Sequence, residues 1–149
     1  MDVHIQQATS ADLDEVAALF DQYRIFYGRS SDPAGARAFV GARLQGGDSV
    51  VLLARGPRGP ASGFVQLYPS FSSLSMQRVW NLNDLYVRVE CRRQGIASAL
   101  LQHAEAFARA DGAKGLILCT QHTNTQAQAL YRQHHYEPID DYGWYFLTT

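Results

Sequence analysis

A short, positively charged segment lies where a predicted strand leads into a predicted helix. It reads Arg92-Arg93-Gln94-Gly95-Ile96-Ala97. The first backbone N–H groups of a helix have no partner within the helix, and the helix dipole adds positive potential there. Gly95 allows close approach of the backbone, and two arginines add cationic charge. The segment therefore predicts a cradle for an anion, and the pyrophosphate of a nucleotide-type cofactor suits it best.

Taken alone, the same segment also fits an ordinary helix N-terminus with solvated arginines. It lacks the G-x-G-x-x-G pattern of Rossmann dinucleotide-binding folds and the G-K-[ST] of Walker loops. A dinucleotide-binding module is disfavoured for that reason, and also because residues 50–68 read as an antiparallel hairpin. The residues before and after the segment decide between the remaining interpretations.

Three features around the segment occur in a known arrangement. Leu85-Tyr86-Val87 precede it on a strand, Arg92-x-x-Gly95-x-Ala97 opens the helix, and Asn124 is followed seven residues later by Tyr131 on a further helix. Together they resemble the motifs of the GNAT superfamily of N-acetyltransferases, whose cofactor helix begins with Q/R-x-x-G-x-G/A. Over residues 80–137 the resemblance rests on specific motif residues. Before residue 80 it rests only on the order of the predicted helices and strands.

The resemblance implies acetyl-CoA as the donor, with CoA as the product and no metal. The cofactor would lie between two splayed parallel strands, where a β-bulge near Leu85, Tyr86 and Val87 would free backbone N–H groups. The Val87 N–H would stabilise negative charge on the thioester oxygen. The acetyl group would pass directly to an amine, with neither cysteine as nucleophile. The pyrophosphate would bind at the helix start, on Arg92, Arg93, Gln94, Gly95, Ile96, Ala97 and Ser98.

Two side chains of the later helix have candidate roles. A tyrosine hydroxyl can donate a proton to the departing thiolate, so Tyr131 is the candidate acid; its alternative role is to cap the core beside Leu130. Asn124 has two equally favoured roles, as the N-cap of its own helix and as a contact to the cofactor.

Asp84 is the candidate base. The attacking amine must lose a proton, because a free alkylamine has a pKa of about 10. Some relatives place a glutamate on the strand before the bulge, but the matching position here is near Asn81, which cannot act as a base. Asp84 is the only nearby carboxylate. It could act through water, anchor a cationic substrate, or be a buried structural carboxylate.

Aromatic side chains are candidates for the wall of the acceptor site. They comprise Tyr23, Phe26 and Tyr27 at the end of the first helix, with Tyr68 and Trp80 from the strands. An aromatic wall with a carboxylate suits an alkylammonium or a polyamine. Aromatic residues at helical spacing are also common in an ordinary core.

The order of predicted elements is typical of one mixed α/β domain over residues 1–149. The first part of the chain is predicted to contain a strand at 3–8, a helix capped by Thr9, Ser10 and Asp12, and a helix from about Pro33 that is closed by Gly46-Gly47. Strands at 50–54 and 63–68, a loop at 69–77 and a strand at 78–87 follow. The rest is predicted to form a helix at 94–110, a strand at 116–119, a helix at 124–135, and two short strands within 136–149. The resemblance implies a mostly antiparallel sheet of about six to seven strands, with a splayed parallel pair and about four helices.

The amino-acid composition argues against several kinds of function. Thirteen Lys plus Arg balance fourteen Asp plus Glu, for a net charge of -1. A nearly neutral chain has no strong positive field with which to bind the phosphates of DNA or RNA. Two cysteines cannot form a disulfide framework, and no metal-ligand spacing or membrane span is evident. We expect a cytoplasmic protein.

These observations favour an acetyl-CoA-dependent N-acetyltransferase that modifies a primary amine of a small molecule. A polyamine or an amino-acid-like acceptor comes first, ahead of a protein lysine or N-terminus and an aminoglycoside. A non-catalytic acyl-CoA-binding sensor on the same fold is the alternative from another class. Trp144, Tyr145 and Phe146 could fill the core or form a dimer edge, and the family resemblance implies a possible homodimer through that region.

Overall fold

The computed structural model describes residues 3–149. The chain forms two compact units, one ending at Cys119 and one spanning Thr120–Thr149. A single domain over residues 1–149 stays a prediction. The elements are β1 (His4–Gln7), α1 (Leu13–Phe26), α2 (Pro33–Gly46), β2 (Val50–Arg55), β3 (Gly63–Ser72), β4 (Gln77–Val87), α3 (Ile96–Ala110), β5 (Gly115–Ile117) and α4 (Thr125–Gln133), with 3-10 turns at Ser10–Asp12 and Val89–Cys91.

The first unit is built on one sheet with the strand order β1-β2-β3-β4-β5. β1 to β4 pair antiparallel, and β5 pairs parallel to β4. The predicted α/β class, with a mostly antiparallel sheet, a parallel pair and four helices, is confirmed. The strand count is lower than predicted, because residues 3–149 form five strands.

The difference lies at the C-terminal end of the chain. The two strands predicted within 136–149 are wrong, since this segment contains neither helix nor strand. Alternating apolar residues favour an extended chain, but a strand also needs a neighbour that satisfies its backbone groups. The large side chains of this segment, among them Trp144, Tyr145 and Phe146, are exposed.

β3 is longer than predicted and runs on to Ser72. The sequence favoured a loop at 69–77 because this stretch, which begins with Pro69, is rich in Ser. β2 begins at Val50, which lies opposite Leu67, so the last residues of β3 have β4 as their only neighbouring strand. An edge of this kind tolerates proline.

Helices cover both faces of the sheet. α3 packs on one face through Leu100 and Leu101, and burying such a side chain stabilises the fold by about 1.5–3 kcal/mol. α1 and α2 cover the other face. The core there combines Val16, Leu19 and Val40 from the helices with Val51, Leu53, Phe64 and Tyr86 from the strands.

β4 contains one extra residue relative to β3. Leu82 lies opposite Leu67 and Asp84 lies opposite Gln66, so Asn83 has no partner and forms a β-bulge. We had predicted the bulge near Leu85–Val87. In the structure it lies two residues earlier, at Asn83. An extra residue reverses which face each later side chain occupies. Asp84 is thereby moved away from the α3 face and onto the face covered by α1.

Arg55 of β2 forms ion pairs with residues at the start of α1. Its guanidinium donates to Asp12 at 2.8 Å and also bonds Glu15. Asp12 accepts the Thr9 N–H as well, and this backbone hydrogen bond is the main cause of its lowered pKa. The cluster is largely shielded, with Arg55 and Asp12 side chains 23% and 15% exposed.

Replacing Arg55 with Met should lower the free energy of unfolding at pH 7 by about 1–3 kcal/mol, because two shielded carboxylates lose their donor. A carboxyl whose folded pKa is lowered stabilises the fold above its unfolded pKa, and this contribution is lost as pH falls. The difference between the two proteins should therefore shrink below about pH 4. Urea unfolding across pH measures it. Arg37→Met, which removes an exposed ion pair to Asp14, is the control and should change little.

Candidate active site

The segment before α3 has the geometry of an anion cradle. Arg93 and Gly95 have left-handed backbone conformations, with φ of 60° and 79°. Gly95 is the N-cap of α3 and provides no side-chain cap, so the first turn keeps its N–H groups for another acceptor. A Cβ built on Gly95 would enter open space. Arg93, Gln94 and Gly95 are exposed, while Ile96 is buried beneath them.

The two arginines of this cradle differ in their surroundings. Arg93 is exposed to solvent. The Arg92 side chain instead contacts the end of β4, where its Nε donates to the Val87 carbonyl at 2.9 Å. Its guanidinium also lies over two rings, 5.1 Å from the Phe26 centroid and 5.6 Å from that of Tyr86. The cradle, the end of β4 and the end of α1 are therefore joined through one side chain.

The parallel strands β4 and β5 separate after three paired residues. The last pair is Asn81 with Ile117, whereas β4 continues to Val87. The Arg88 N–H donates to the carbonyl of Ser62, the residue before β3, at 2.8 Å. Backbone groups alternate along a strand, so the N–H and C=O of Val87 point away from β3. They face the side on which β5 has ended. This is the splayed gap that the resemblance implies.

Gly63 allows the end of β4 to lie very close to β3. A Cβ at this position would come 2.6 Å from the Tyr86 carbonyl oxygen and 3.1 Å from the Val87 side chain. Any other residue would push the Tyr86–Val87 peptide out of place. Tyr86 and Val87 are themselves buried, and Leu85 is half-buried.

Asp84 is a buried carboxylate held only by neutral donors. It is 3% exposed, and accepts the Gln66 amide at 2.7 Å and the Asn83 amide at 3.1 Å. The Tyr23 hydroxyl also hydrogen-bonds to it. Burial outweighs these bonds and raises the pKa of Asp84. No Arg or Lys of residues 3–149 forms an ion pair with it.

The aromatic side chains at the end of α1 form a continuous wall. The Tyr23 and Tyr27 rings lie 5.0 Å apart, and those of Phe26 and Tyr27 5.2 Å apart. Phe26 is 53% exposed. Tyr68 faces the same carboxylate from β3, and burial, followed by the charge of Asp84, raises the pKa of Tyr68 to about 12. Burial likewise raises the pKa of Tyr23, so both hydroxyls remain protonated donors.

The structure does not bring Trp80 to this wall. Its ring packs 5.0 Å from Phe107 of α3, and its Nε1 donates to Asp111 at 2.8 Å. Trp80 lies before the bulge and Asp84 lies after it, so their side chains occupy opposite faces. Trp80 is a core residue, and we leave it out of the acceptor site.

The second unit holds the later motif. The Asn124 side chain accepts the Ala127 N–H at 3.2 Å. Asn124 is therefore the N-cap of α4, which is the first of the two roles expected for it. Its contact to a cofactor stays a prediction. Tyr131 is half-buried on α4, with its ring 5.8 Å from that of Tyr136. Its role as an acid likewise stays a prediction.

Sequence reasoning missed two positions of the site. Gln66 is 1% exposed, and it links Asp84 to the Ser49 hydroxyl, which donates to Gln66 Oε1 at 3.1 Å. A glutamine inside the apolar run Gly63 to Leu67 was the available signal, since a buried amide requires partners. Gly63 carried no sequence signal beyond the start of a strand.

Other kinds of site were also considered. Over residues 3–149, no cluster of three His, Cys, Asp or Glu side chains is arranged to hold a metal ion. The same residues include no helix long and apolar enough to cross a membrane. Cys91 is half-buried and Cys119 exposed, and both are free thiols.

Comparison with known proteins identifies the family. The model of the acetyltransferase (GNAT) family matches residues 13–136. N-acetyltransferase YhfO of Bacillus subtilis (strain 168) is 45% identical, over 99% of this chain and 98% of that protein. The crystal structure of a probable acetyltransferase is 44% identical with a TM-score of 0.92, over 98% and 97% of the two chains.

A more distant structure has the same fold. The ribosomal-protein-alanine N-acetyltransferase from Brucella melitensis biovar Abortus 2308 is 24% identical, with a TM-score of 0.82 over 99% of both chains. At this identity the likeness concerns the fold alone. The family match and the close relatives go further: the chain belongs to the GNAT family and is an N-acetyltransferase.

Proposed function

We propose that this enzyme moves the acetyl group of acetyl-CoA directly to a primary amine of a small molecule. The observation that carries the proposal is Asp84, a buried carboxylate without a cationic partner beside an aromatic wall. Buried charges are normally paired, and the ammonium group of an acceptor would supply the missing charge. The start of α3 suits the pyrophosphate of the donor, because no side chain caps the first N–H groups of this helix.

Each proposed residue has a defined task. Acetyl-CoA supplies an acetyl group activated as a thioester. Asp84 takes a proton from the acceptor ammonium, directly or through one water, and frees the nitrogen lone pair for attack on the acetyl carbon. The Val87 N–H donates to the thioester oxygen as it gains negative charge. The bond to sulfur breaks, and Tyr131 gives its proton to the departing thiolate.

The acceptor wall favours a compact cationic molecule. Tyr23, Phe26 and Tyr27 present ring faces to which an alkylammonium can bind, and Asp84 adds a negative charge. We therefore favour a polyamine or an amino-acid-like amine. A protein lysine or N-terminus is the second candidate.

An amine panel tests this proposal. The protein is incubated with acetyl-CoA and polyamines, amino-acid-like amines, aminoglycosides or peptides, and free thiol is measured over time. We expect release above background with a small amine. CoA binding without release for any acceptor would instead support an acyl-CoA sensor.

Replacing Tyr131 with Phe separates the enzyme from the sensor. Loss of the hydroxyl should lower kcat about 10- to 100-fold, while the affinity for CoA remains within about threefold. Kinetics with the best amine and calorimetry with CoA measure the two quantities. An unchanged kcat would remove Tyr131 from the mechanism.

We also propose a homodimer. Trp144, Tyr145 and Phe146 are 84%, 96% and 93% exposed, and such an apolar segment is typical of a protein contact surface. Light scattering of the purified protein measures its mass, and a monomer at all concentrations would contradict the proposal.

A further inference from the structure

The peptide between Val87 and Arg88 is held at both of its polar atoms. Its C=O accepts Arg92 Nε at 2.9 Å, and its N–H donates to the carbonyl of Ser62, the residue before β3, at 2.8 Å. A peptide plane held at both atoms is restrained against rotation. This restrains ψ of Val87, the angle that relates this plane to the Val87 N–H.

The same guanidinium supports the acceptor wall. Its carbon atom lies 5.1 Å from the centre of the Phe26 ring and 5.6 Å from that of Tyr86. Phe26 is half exposed at the end of α1, and its ring also lies 5.2 Å from that of Tyr27 and 6.4 Å from that of Tyr86. A planar guanidinium can stack on rings while it donates in its own plane, which an ammonium cannot do.

We propose that Arg92 is a positioning residue that sets the direction of the Val87 N–H and the place of the Phe26 ring. Its side chain thus links the cofactor cradle, the donor to the thioester oxygen and the acceptor wall. The proposal rests on the proposed function, because it assigns the Val87 N–H to the thioester. It gives Arg92 a task different from that of Arg93, which lies exposed beside the same helix start.

Replacing Arg92 with Lys tests this task, because the charge remains while the fixed fork and the stacking plane are lost. We expect the affinity for CoA to stay within about threefold and kcat to fall about tenfold or more, since small displacements of a catalytic group are costly. The affinity of the variant for acetyl-CoA should also fall about threefold relative to its affinity for CoA. In addition, the Val87 amide resonance should no longer shift when acetyl-CoA replaces CoA.

Arg78→Lys is the matched control. The Arg78 guanidinium also lies over two rings, 4.5 Å from the Phe71 centroid and 5.3 Å from that of Trp80, but neither ring belongs to the proposed site. Its kcat and its ratio of acetyl-CoA to CoA affinity should remain near those of the unmodified protein. Should Arg92→Lys not fold, Phe26→Leu removes one stacking ring and should raise the KM for the amine about threefold or more.

Two results would overturn the proposal. One is an Arg92→Lys protein that binds CoA and acetyl-CoA equally weakly with kcat unchanged, as expected of a phosphate ligand alone. The other is a Val87 amide resonance that responds to acetyl-CoA as before. Absence of turnover with every amine in the unmodified protein would instead count against the proposed function, and the affinity ratio and the Val87 resonance would still test Arg92.

Discussion

Replacing Asp84 with Asn should lower kcat/KM for the amine about 10²- to 10⁴-fold, as expected when a general base is lost. The amide is nearly the same size, so the site keeps its shape. It carries no charge for an ammonium and cannot take a proton. The affinity for CoA should remain within about threefold, because the cradle at Gly95 is unchanged. Steady-state kinetics and calorimetry measure the two quantities.

The same substitution should leave the fold as stable or more stable at pH 7. Burial raises the pKa of Asp84, so its charge opposes folding. A group whose folded pKa is raised contributes stability below its unfolded pKa, and this contribution is lost as pH rises through the folded value. At pH 7 the unmodified protein carries this cost, and the Asn variant does not.

Asp21 provides the matched control. It is also a buried carboxylate, 8% exposed, and it accepts Ser31 Oγ at 2.6 Å and the Asp32 N–H at 2.7 Å. These bonds lower its pKa, so its charge favours folding. Asp21→Asn should therefore reduce stability with little change in kcat. An Asp84→Asn protein with full activity would contradict the assignment of the base.

The pH profile gives an independent test. The base acts as a carboxylate, so kcat/KM should rise with pH through the folded pKa of Asp84, above the ordinary value of about 3.9. The residual activity of the Asn variant should lack this rise. An identical profile in both proteins would assign the proton transfer elsewhere.

The helix start at Gly95 could be predicted from the sequence because its signals are local. Gly95 and the apolar spacing of α3 lie within a few residues of one another, and such signals define a helix start without reference to the rest of the fold. The start of α3 differs by only two residues from the predicted one.

The surroundings of Asp84 could not be predicted in this way. They depend on the pairing of Gln66 with Asp84, eighteen residues apart, and on an extra residue, Asn83. Simple alternation groups Trp80 with Asp84 on one face, whereas the structure places them on opposite faces. A bulge reverses that alternation, and its exact position depends on the register between strands.

Replacing Gly95 with Asp should weaken the binding of acetyl-CoA and CoA at least about 100-fold, which corresponds to about 2.7 kcal/mol. A carboxylate at this N-cap would accept the N–H groups of the first turn that the pyrophosphate needs. It would also repel the phosphates. The left-handed conformation costs a residue with a side chain about 1–2 kcal/mol, and the new cap offsets part of this cost. The protein should therefore stay folded.

Gly112→Asp is the control at the other end of α3. Gly112 also has a left-handed conformation, with φ of 71°, and a Cβ there would enter open space as well. The backbone strain is thus matched, but a negative charge at a helix C-terminus is unfavourable. Gly112→Asp should be the less stable variant and should bind CoA normally, while Gly95→Asp should be the more stable variant and lose binding. Calorimetry with CoA and thermal unfolding give this ranking, and equal CoA affinity in the two variants would place the pyrophosphate elsewhere.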